Sequence, residues 1–217
     1  MDVDREKRLV AEAAAELVED GMTVGLGTGS TVAFLLPALA ARHVSLRCVA
    51  TSPRTERDAR AVGLEVDSFS GPAAPERLDI AIDGADQVDR DGWVVKGGGG
   101  AHTRERLVAA SADRFVVIVS SDKLVEHVHP PIPLELHRYG LAATVRRLDL
   151  VTLREVPPSP DGGVIADYHG AVEDPHELAA ALASTPGVVD HGLFPPSLID
   201  TVLVGRGDTV ERLDSSP

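Results

Sequence analysis

Cysteine is nearly absent. Cys48 stands alone, so no disulfide can form within the chain and a cysteine-based metal site is not expected. Aromatic residues are 3% of the sequence, too few for a surface on which nucleic-acid bases would stack. Positive charge is in deficit: 21 Lys and Arg face 34 Asp and Glu, a formal net charge of −13. A field of that sign argues against nucleic acid or an anionic membrane as partner. No apolar run approaches a membrane span, and the charged N-terminus MDVDREKRLV lacks an apolar signal core. A cytoplasmic protein is the expectation, and any anionic ligand would need a local source of positive potential.

What is present is enough hydrophobic sequence, 43% of 217 residues, for one main core and a small second one. Residues 4–19 have helical periodicity, with Leu9, Ala13 and Leu17 on one face and Asp20-Gly21 as the stop. MTVGLG reads as a short buried strand, and STVAFLLPALAARH as a helix that Pro37 should kink or split. LRCVATS, LEVDSF, LDIAIDGAD, WVVKGGGG and FVVIVSS read as further strands, with TERDARAVG and HTRERLVAASADR as helices. Strands alternating with helices over residues 1–125 predict a parallel sheet with helices on both faces. Ligands of such sheets bind at the carboxyl ends of the strands.

After residue 126 the texture changes. HVHPPIPLELHRYG is proline-rich and non-periodic. Helix, strand, strand, helix, strand then follow, with Asp174 as the N-cap of the second helix, and suggest a small α+β domain. The expected division is a main domain of residues 1–126 and 202–217, with 127–201 as the small one; IDTVLVG would return to the main sheet.

Four motifs carry chemistry. Gly25-Leu26-Gly27-Thr28-Gly29-Ser30-Thr31 joins a strand to a helix and offers backbone N–H groups, hydroxyls and a helix dipole to an anion. It lacks the Lys of a Walker loop, and the next strand ends in Thr51-Ser52 without the acid that would hold a dinucleotide ribose. A small phosphate ester fits better; an ordinary tight turn is the competing explanation. Asp83-Gly84-Ala85-Asp86 places two carboxylates after an apolar strand, suited to sugar hydroxyls and proton shuttling, though a plain polar turn is the commoner cause of such a string. No further ligand at metal spacing accompanies them.

Lys96 and four glycines, Gly97–Gly100, precede Ala101-His102-Thr103-Arg104-Glu105. A glycine run is entropically costly and suits a backbone that must approach a ligand. Glu105, in the first turn of the next helix, is kept ionised there and is suited to act as a base; otherwise it is a capping glutamate, with Thr103 or His102 at the cap. Lys123, after Ser120-Ser121-Asp122, reaches a phosphate as a point charge or is a surface lysine, and Lys7 has the same two readings.

In this order the motifs GLGTGST, TSPRTE, DGAD, KGGGGAHTRE and the lysine after FVVIVSS closely resemble type A ribose-5-phosphate isomerase. The match is nearly unbroken over residues 4–125 and weaker beyond. The resemblance implies an α/β fold: a Rossmann-like three-layer domain with a parallel sheet plus a small ferredoxin-like domain. It implies an aldose–ketose isomerase of the non-oxidative pentose phosphate branch, without metal or other cofactor, acting on a small sugar phosphate, and a homodimer or tetramer. Glu105 would move the proton between C2 and C1; Asp83, Asp86 and Lys96 would open the sugar ring and handle charge on its oxygens. Thr28, Gly29, Ser30, Thr31, Lys123 and Lys7 would hold the phosphate, and Gly84, Ala85, Gly97, Gly98 and Gly99 would line the substrate.

The chain departs from the family pattern at Gly100 and His102, where small apolar residues are usual. It departs again at Asp122, since the family more often has an acid three residues before the lysine and a serine beside it. Rival readings are a non-catalytic sugar-phosphate regulator, an isomerase of a related sugar phosphate, and a deaminase or acyl/CoA transferase of similar fold. Lys96 and Glu105 argue against the first, and the DGAD and KGGGG pair against the last two.

Overall fold

The computed structural model describes residues 2–214. In chain order the elements are α1 (Val3–Ala15), β1 (Thr23–Leu26), α2 (Val32–Ala41), β2 (Arg47–Ala50), α3 (Pro53–Ala61), β3 (Glu65–Asp67), β4 (Ile80–Asp83), β5 (Gln87–Val88), β6 (Val94–Val95), α4 (His102–Ala110) and β7 (Phe115–Ser120). They continue with β8 (Ile132–Leu136), α5 (Leu141–Leu148), β9 (Val151–Leu153), β10 (Val164–Tyr168), α6 (Pro175–Ala183), β11 (Val188–His191), β12 (Leu193–Phe194), β13 (Thr201–Arg206) and β14 (Thr209–Asp214). The chain forms two compact units, 1–85 with 104–123 and 197–217, and 86–103 with 124–196.

The first unit is built on a seven-stranded sheet of order β14-β13-β7-β4-β1-β2-β3. All neighbours are parallel except β13 and β14. Alternation sorts the strands: Val24, Leu26, Ile80, Ile82, Val116 and Ile118 join Val10, Leu35 and Leu39 of α1 and α2 in one core. Gly25, between Val24 and Leu26, faces the other way, and a Cβ there would lie 2.4 Å from Val108 of α4. Helices therefore cover both faces, as the β-α alternation predicts. The chain runs outward from β1 through β2 to β3, then restarts at β4 and runs the other way. The switch point lies between β1 and β4, where such sheets open a crevice for ligands.

Pro37 does not split α2, which is continuous from Val32 to Ala41. Pro37 and Ala33, whose carbonyl would have accepted the missing N–H, are both exposed. Water can therefore satisfy that carbonyl. The helix expected over residues 4–19 ends at Ala15.

The second unit has a four-stranded antiparallel sheet of order β11-β8-β10-β9 with α5 and α6. The β8-α5-β9-β10-α6-β11 connectivity in that order is the ferredoxin-like split βαβ arrangement. IPLEL, inside the stretch that looks non-periodic, is its first strand, β8. All five of its residues are buried; Ile132, Leu134 and Leu136 alternate with Pro133 and Glu135 and enter one core, a period-2 pattern hidden by the prolines around it. Asp174 caps α6 as expected, accepting from the N–H groups of His176 and Glu177. WVV does not continue the parallel sheet: β6 lies in a separate sheet of order β12-β6-β5. That pairing, with β12 at Leu193–Phe194, draws residues 86–103 into the second unit, whereas the sequence division leaves them in the main domain. Residues 197–201 fall in the first unit, where the Asp200 N–H donates to the Phe115 carbonyl.

Among the described residues, no helix is long and apolar enough to cross a membrane, and no three His, Cys, Asp or Glu side chains cluster to hold a metal ion.

Candidate active site

In the first unit the GTGST loop follows β1 and the DGAD loop follows β4, on the two strands that flank the switch point. Asp83, at the end of β4, is 3% exposed. Its Oδ1 accepts from the backbone N–H of Thr28 at 3.1 Å and of Gly84 at 2.7 Å. One buried carboxylate thus fastens the two loops together. Gly27 has to be glycine for this: a Cβ would fall 1.8 Å from Cγ of Asp83.

Thr28 is held from its other side. Its hydroxyl lies 2.8 Å from that of Thr51 and 3.2 Å from that of Thr55, and Thr55 donates to the Gly27 carbonyl at 2.9 Å. Thr51 and Thr55 belong to TSPRTE, a motif whose role the sequence left blank. Gly29 and Ser30 are exposed and Thr31 precedes α2, so the loop keeps a solvent-facing edge fit for an anion. Gly84 approaches Thr31: a Cβ on it would sit 3.9 Å from the Thr31 Cβ. Ala85 is half-buried.

Glu105, in the first turn of α4, is 3% exposed. The helix begins at His102. Thr103 is therefore the second helical residue and not the cap, and its hydroxyl donates to Glu135 at 2.6 Å. Lys123 closes the short turn after β7, where its Nζ lies 3.4 Å from Asp122. Burial works against the Asp122 charge, but the Ser120 hydroxyl and Lys123 together hold its carboxyl below the usual range. Lys7 on α1 pairs with Asp4 at 3.7 Å.

In the second unit the exposed carboxylate of Asp86 accepts from the Gly98 N–H at 2.7 Å, so Asp86 and the glycine run belong to one loop system. Lys96 is 2% exposed; its N–H donates to the Gly192 carbonyl and its Nζ lies 5.7 Å from the centre of the Phe194 ring. Gly97, at φ +101°, leaves no room for a side chain: its Cβ would meet His102 Nδ1 at 2.6 Å and Pro133 at 2.8 Å. His102 thus fills the space beneath the loop, a packing reason for that departure. Gly99 is exposed, and Gly100 packs on Ile165.

One residue that holds this loop had no sequence signal. Arg154, just past β9, donates from Nη1 to the carbonyls of Gly97 and Gly98, both at 3.0 Å. Its other nitrogens fork onto Asp167 at 2.7 and 2.6 Å. The Asp167 fork, followed by the nearby Asp86 charge, raises the guanidinium above its ordinary range. With the carbonyls fixed by Arg154, the Gly98 N–H is left to face Asp86.

A family model described as Ribose 5-phosphate isomerase A (phosphoriboisomerase A) matches residues 47–209. A second, the DeoR C terminal sensor domain, matches only residues 3–60, the segment that includes the GTGST loop. Ribose-5-phosphate isomerase A of Halobacterium salinarum is 44% identical over 96% of both chains. That of Caulobacter vibrioides is 43% identical over 98% of this chain and 99% of its own. Among solved structures, ribose 5-phosphate isomerase A from Methanocaldococcus jannaschii matches at TM-score 0.89 and 32% identity, over 96% of this chain and 98% of its own. A D-ribose-5-phosphate isomerase in complex with phospho-erythronic acid matches at TM-score 0.91 and 30% identity, over 99% and 100%. The chain belongs to the ribose 5-phosphate isomerase A family, and its activity is the interconversion of ribose 5-phosphate and ribulose 5-phosphate.

Proposed function

We propose that the isomerisation runs through an enediolate, with Glu105 as the group that carries the proton between C2 and C1. The observation that carries the reading is the Asp83 carboxylate, buried at the switch point and bonded to both the GTGST and DGAD loops. A glycine turn alone would leave no reason to bury a charge there.

The chemistry asks for few parts. A C–H beside a carbonyl is weakly acidic, so its removal needs a placed base and positive charge near the oxygen that becomes negative. The ionised Glu105 takes the C2 proton, the electron pair forms the C1–C2 double bond, and O1 becomes the oxyanion. Return of the proton to C1 and transfer of the O2 proton to O1 give the ketose. No electron leaves the substrate, so no nicotinamide is needed, and a lysine beside the developing oxyanion can take the place of a Lewis-acid metal. Lys96 supplies the positive charge, while Asp83 and Asp86 exchange protons with the sugar oxygens during ring opening. Thr28, Gly29, Ser30 and Thr31 bind the phosphate with Lys123 and Lys7, and Gly84, Ala85 and Gly97–Gly99 line the sugar. Anchoring the phosphate fixes one end of a flexible open chain and so orients C1 and C2.

A relative of 30% identity bound to phospho-erythronic acid supports this choice. A phosphorylated sugar acid joins the phosphate to a planar anion resembling the enediolate, and it should inhibit this chain competitively. We expect the chain to work as a homodimer or tetramer in the cytoplasm. The test is direct: chelator-treated protein is mixed with ribose 5-phosphate in EDTA and ketose formation is measured. Full activity, with free ribose a very poor substrate, is expected. Loss on chelation restored by one metal, or equal turnover of ribose, would overturn the scheme.

A further inference from the structure

Among the described residues of the first unit, one fully buried carboxylate has no part in the scheme above. Glu6 is 0% exposed, although it lies in the first turn of α1. Its two oxygens are used by three donors. Oε2 accepts from the backbone N–H of Ser121 at 2.9 Å and from its hydroxyl at 2.8 Å. Oε1 accepts from the N–H of Gly207, in the β13–β14 turn, at 2.8 Å. The approach is close on the main-chain side too: a Cβ at Gly205 would fall 2.5 Å from the Glu6 carbonyl oxygen.

Three segments therefore meet on one side chain: α1, the turn after β7, and the β13–β14 hairpin. Two of them carry the lysines assigned to the phosphate. Lys7 is the next residue on α1, and its side chain is only 15% exposed. Lys123 ends the turn that begins at Ser121. We infer that Glu6 is a positioning residue for phosphate recognition, setting Lys7 and the Lys123 turn in one fixed arrangement. The inference rests on the phosphate reading of those lysines.

The sheet makes this placement useful. β7 is separated from β1 by β4 alone. At a strand spacing of ~4.8 Å the ends of β1 and β7 lie roughly 10 Å apart, a gap that a lysine side chain and a phosphate group can span. A lysine turn free to drift would lose that reach. A carboxylate suits the role because it offers two acceptor oxygens to the three donors. An amide offers one and would turn its NH₂ toward an N–H.

Glu6→Gln should therefore raise KM for ribose 5-phosphate and Ki for inorganic phosphate together. The expected change is roughly tenfold, the scale of one lost charge-assisted hydrogen bond, with kcat within about threefold and solvent exchange at the substrate carbon unchanged. Ser121→Ala, which removes only the hydroxyl donor, should shift both constants in the same direction by less, and it serves if Glu6→Gln does not fold. Lys123→Ala is the reference. If it raises the phosphate Ki while Glu6→Gln and Ser121→Ala change only melting temperature, the positioning role is overturned and the phosphate reading stands. If none of the three changes the phosphate Ki, both fall.

Discussion

Gly27→Ala tests the centre of the proposed site with one methyl group. The new Cβ would lie 1.8 Å from Asp83 Cγ and 1.9 Å from Oδ1, where ordinary contact begins near 3.4 Å. Relief requires the carboxylate to withdraw by about 1.6 Å, the difference between those distances. Its bonds to Thr28 and Gly84, at 3.1 and 2.7 Å, do not survive a shift of that size. Two hydrogen bonds to a charged group are worth about 1.5–3 kcal/mol each. A total of roughly 3–6 kcal/mol corresponds to a melting decrease of about 6–24 °C for a chain of this size. A 1 Å misplacement of a catalytic group can cost about 10²-fold in rate, so kcat/KM should fall at least that far. Asp83→Asn keeps the shape and removes the charge, so it should reproduce much of the rate loss with a smaller melting shift. Calorimetry and the ketose assay on the two variants decide the matter. Gly27→Ala with near-native activity and melting would show that Asp83 is not held where the reaction needs it.

Glu105→Gln keeps the side-chain shape but cannot take a proton at neutral pH; kcat should fall by about 10²–10⁴ with little change in KM. In D₂O it should show neither isomerisation nor deuterium incorporation, and wild-type turnover would move the base to Asp83 or Asp86. Arg154→Lys removes the fork that binds Asp167 and two loop carbonyls. Its melting temperature should fall by roughly 4–10 °C and kcat/KM should fall with it, whereas unchanged kinetics would show that the loop holds itself. Burial pushes the Cys48 thiol up to about 12, so native protein at pH 8 should resist iodoacetamide and react once unfolded in urea. Because the folded value lies above the unfolded one, near 8.5, the stability linked to Cys48 is complete below about pH 8.5. It is lost as pH rises toward 12, and urea titrations at pH 8 and 10.5 would reveal any other trend.

The sequence by itself supplied the residues of the proposed site. Each motif is local, a strand end followed by glycine or an acid, and the constraint that makes it legible lies within a few residues. Alternating elements likewise determined the parallel sheet, and the Asp174-Pro175 pair placed the start of α6. Tertiary structure decided what depends on partners far along the chain. β8 is buried on both faces, so Glu135 within IPLEL depends on donors from elsewhere in the chain, Thr103 and Ser159. β6 joins a separate sheet because its partner, β12, comes about a hundred residues later. Arg154 meets Asp167 only through the register of β9 with β10, and no spacing rule predicts that a strand-end arginine will clasp two glycine carbonyls. Glu6 left one trace: it shares the buried stripe of α1 with Val10 and Ala14, at a spacing of four, where an apolar residue is the rule. Its purpose appears only once Ser121 and Gly207, more than a hundred residues away in sequence, are folded against it, because a carboxylate tolerates burial only where donors from elsewhere in the chain converge on it.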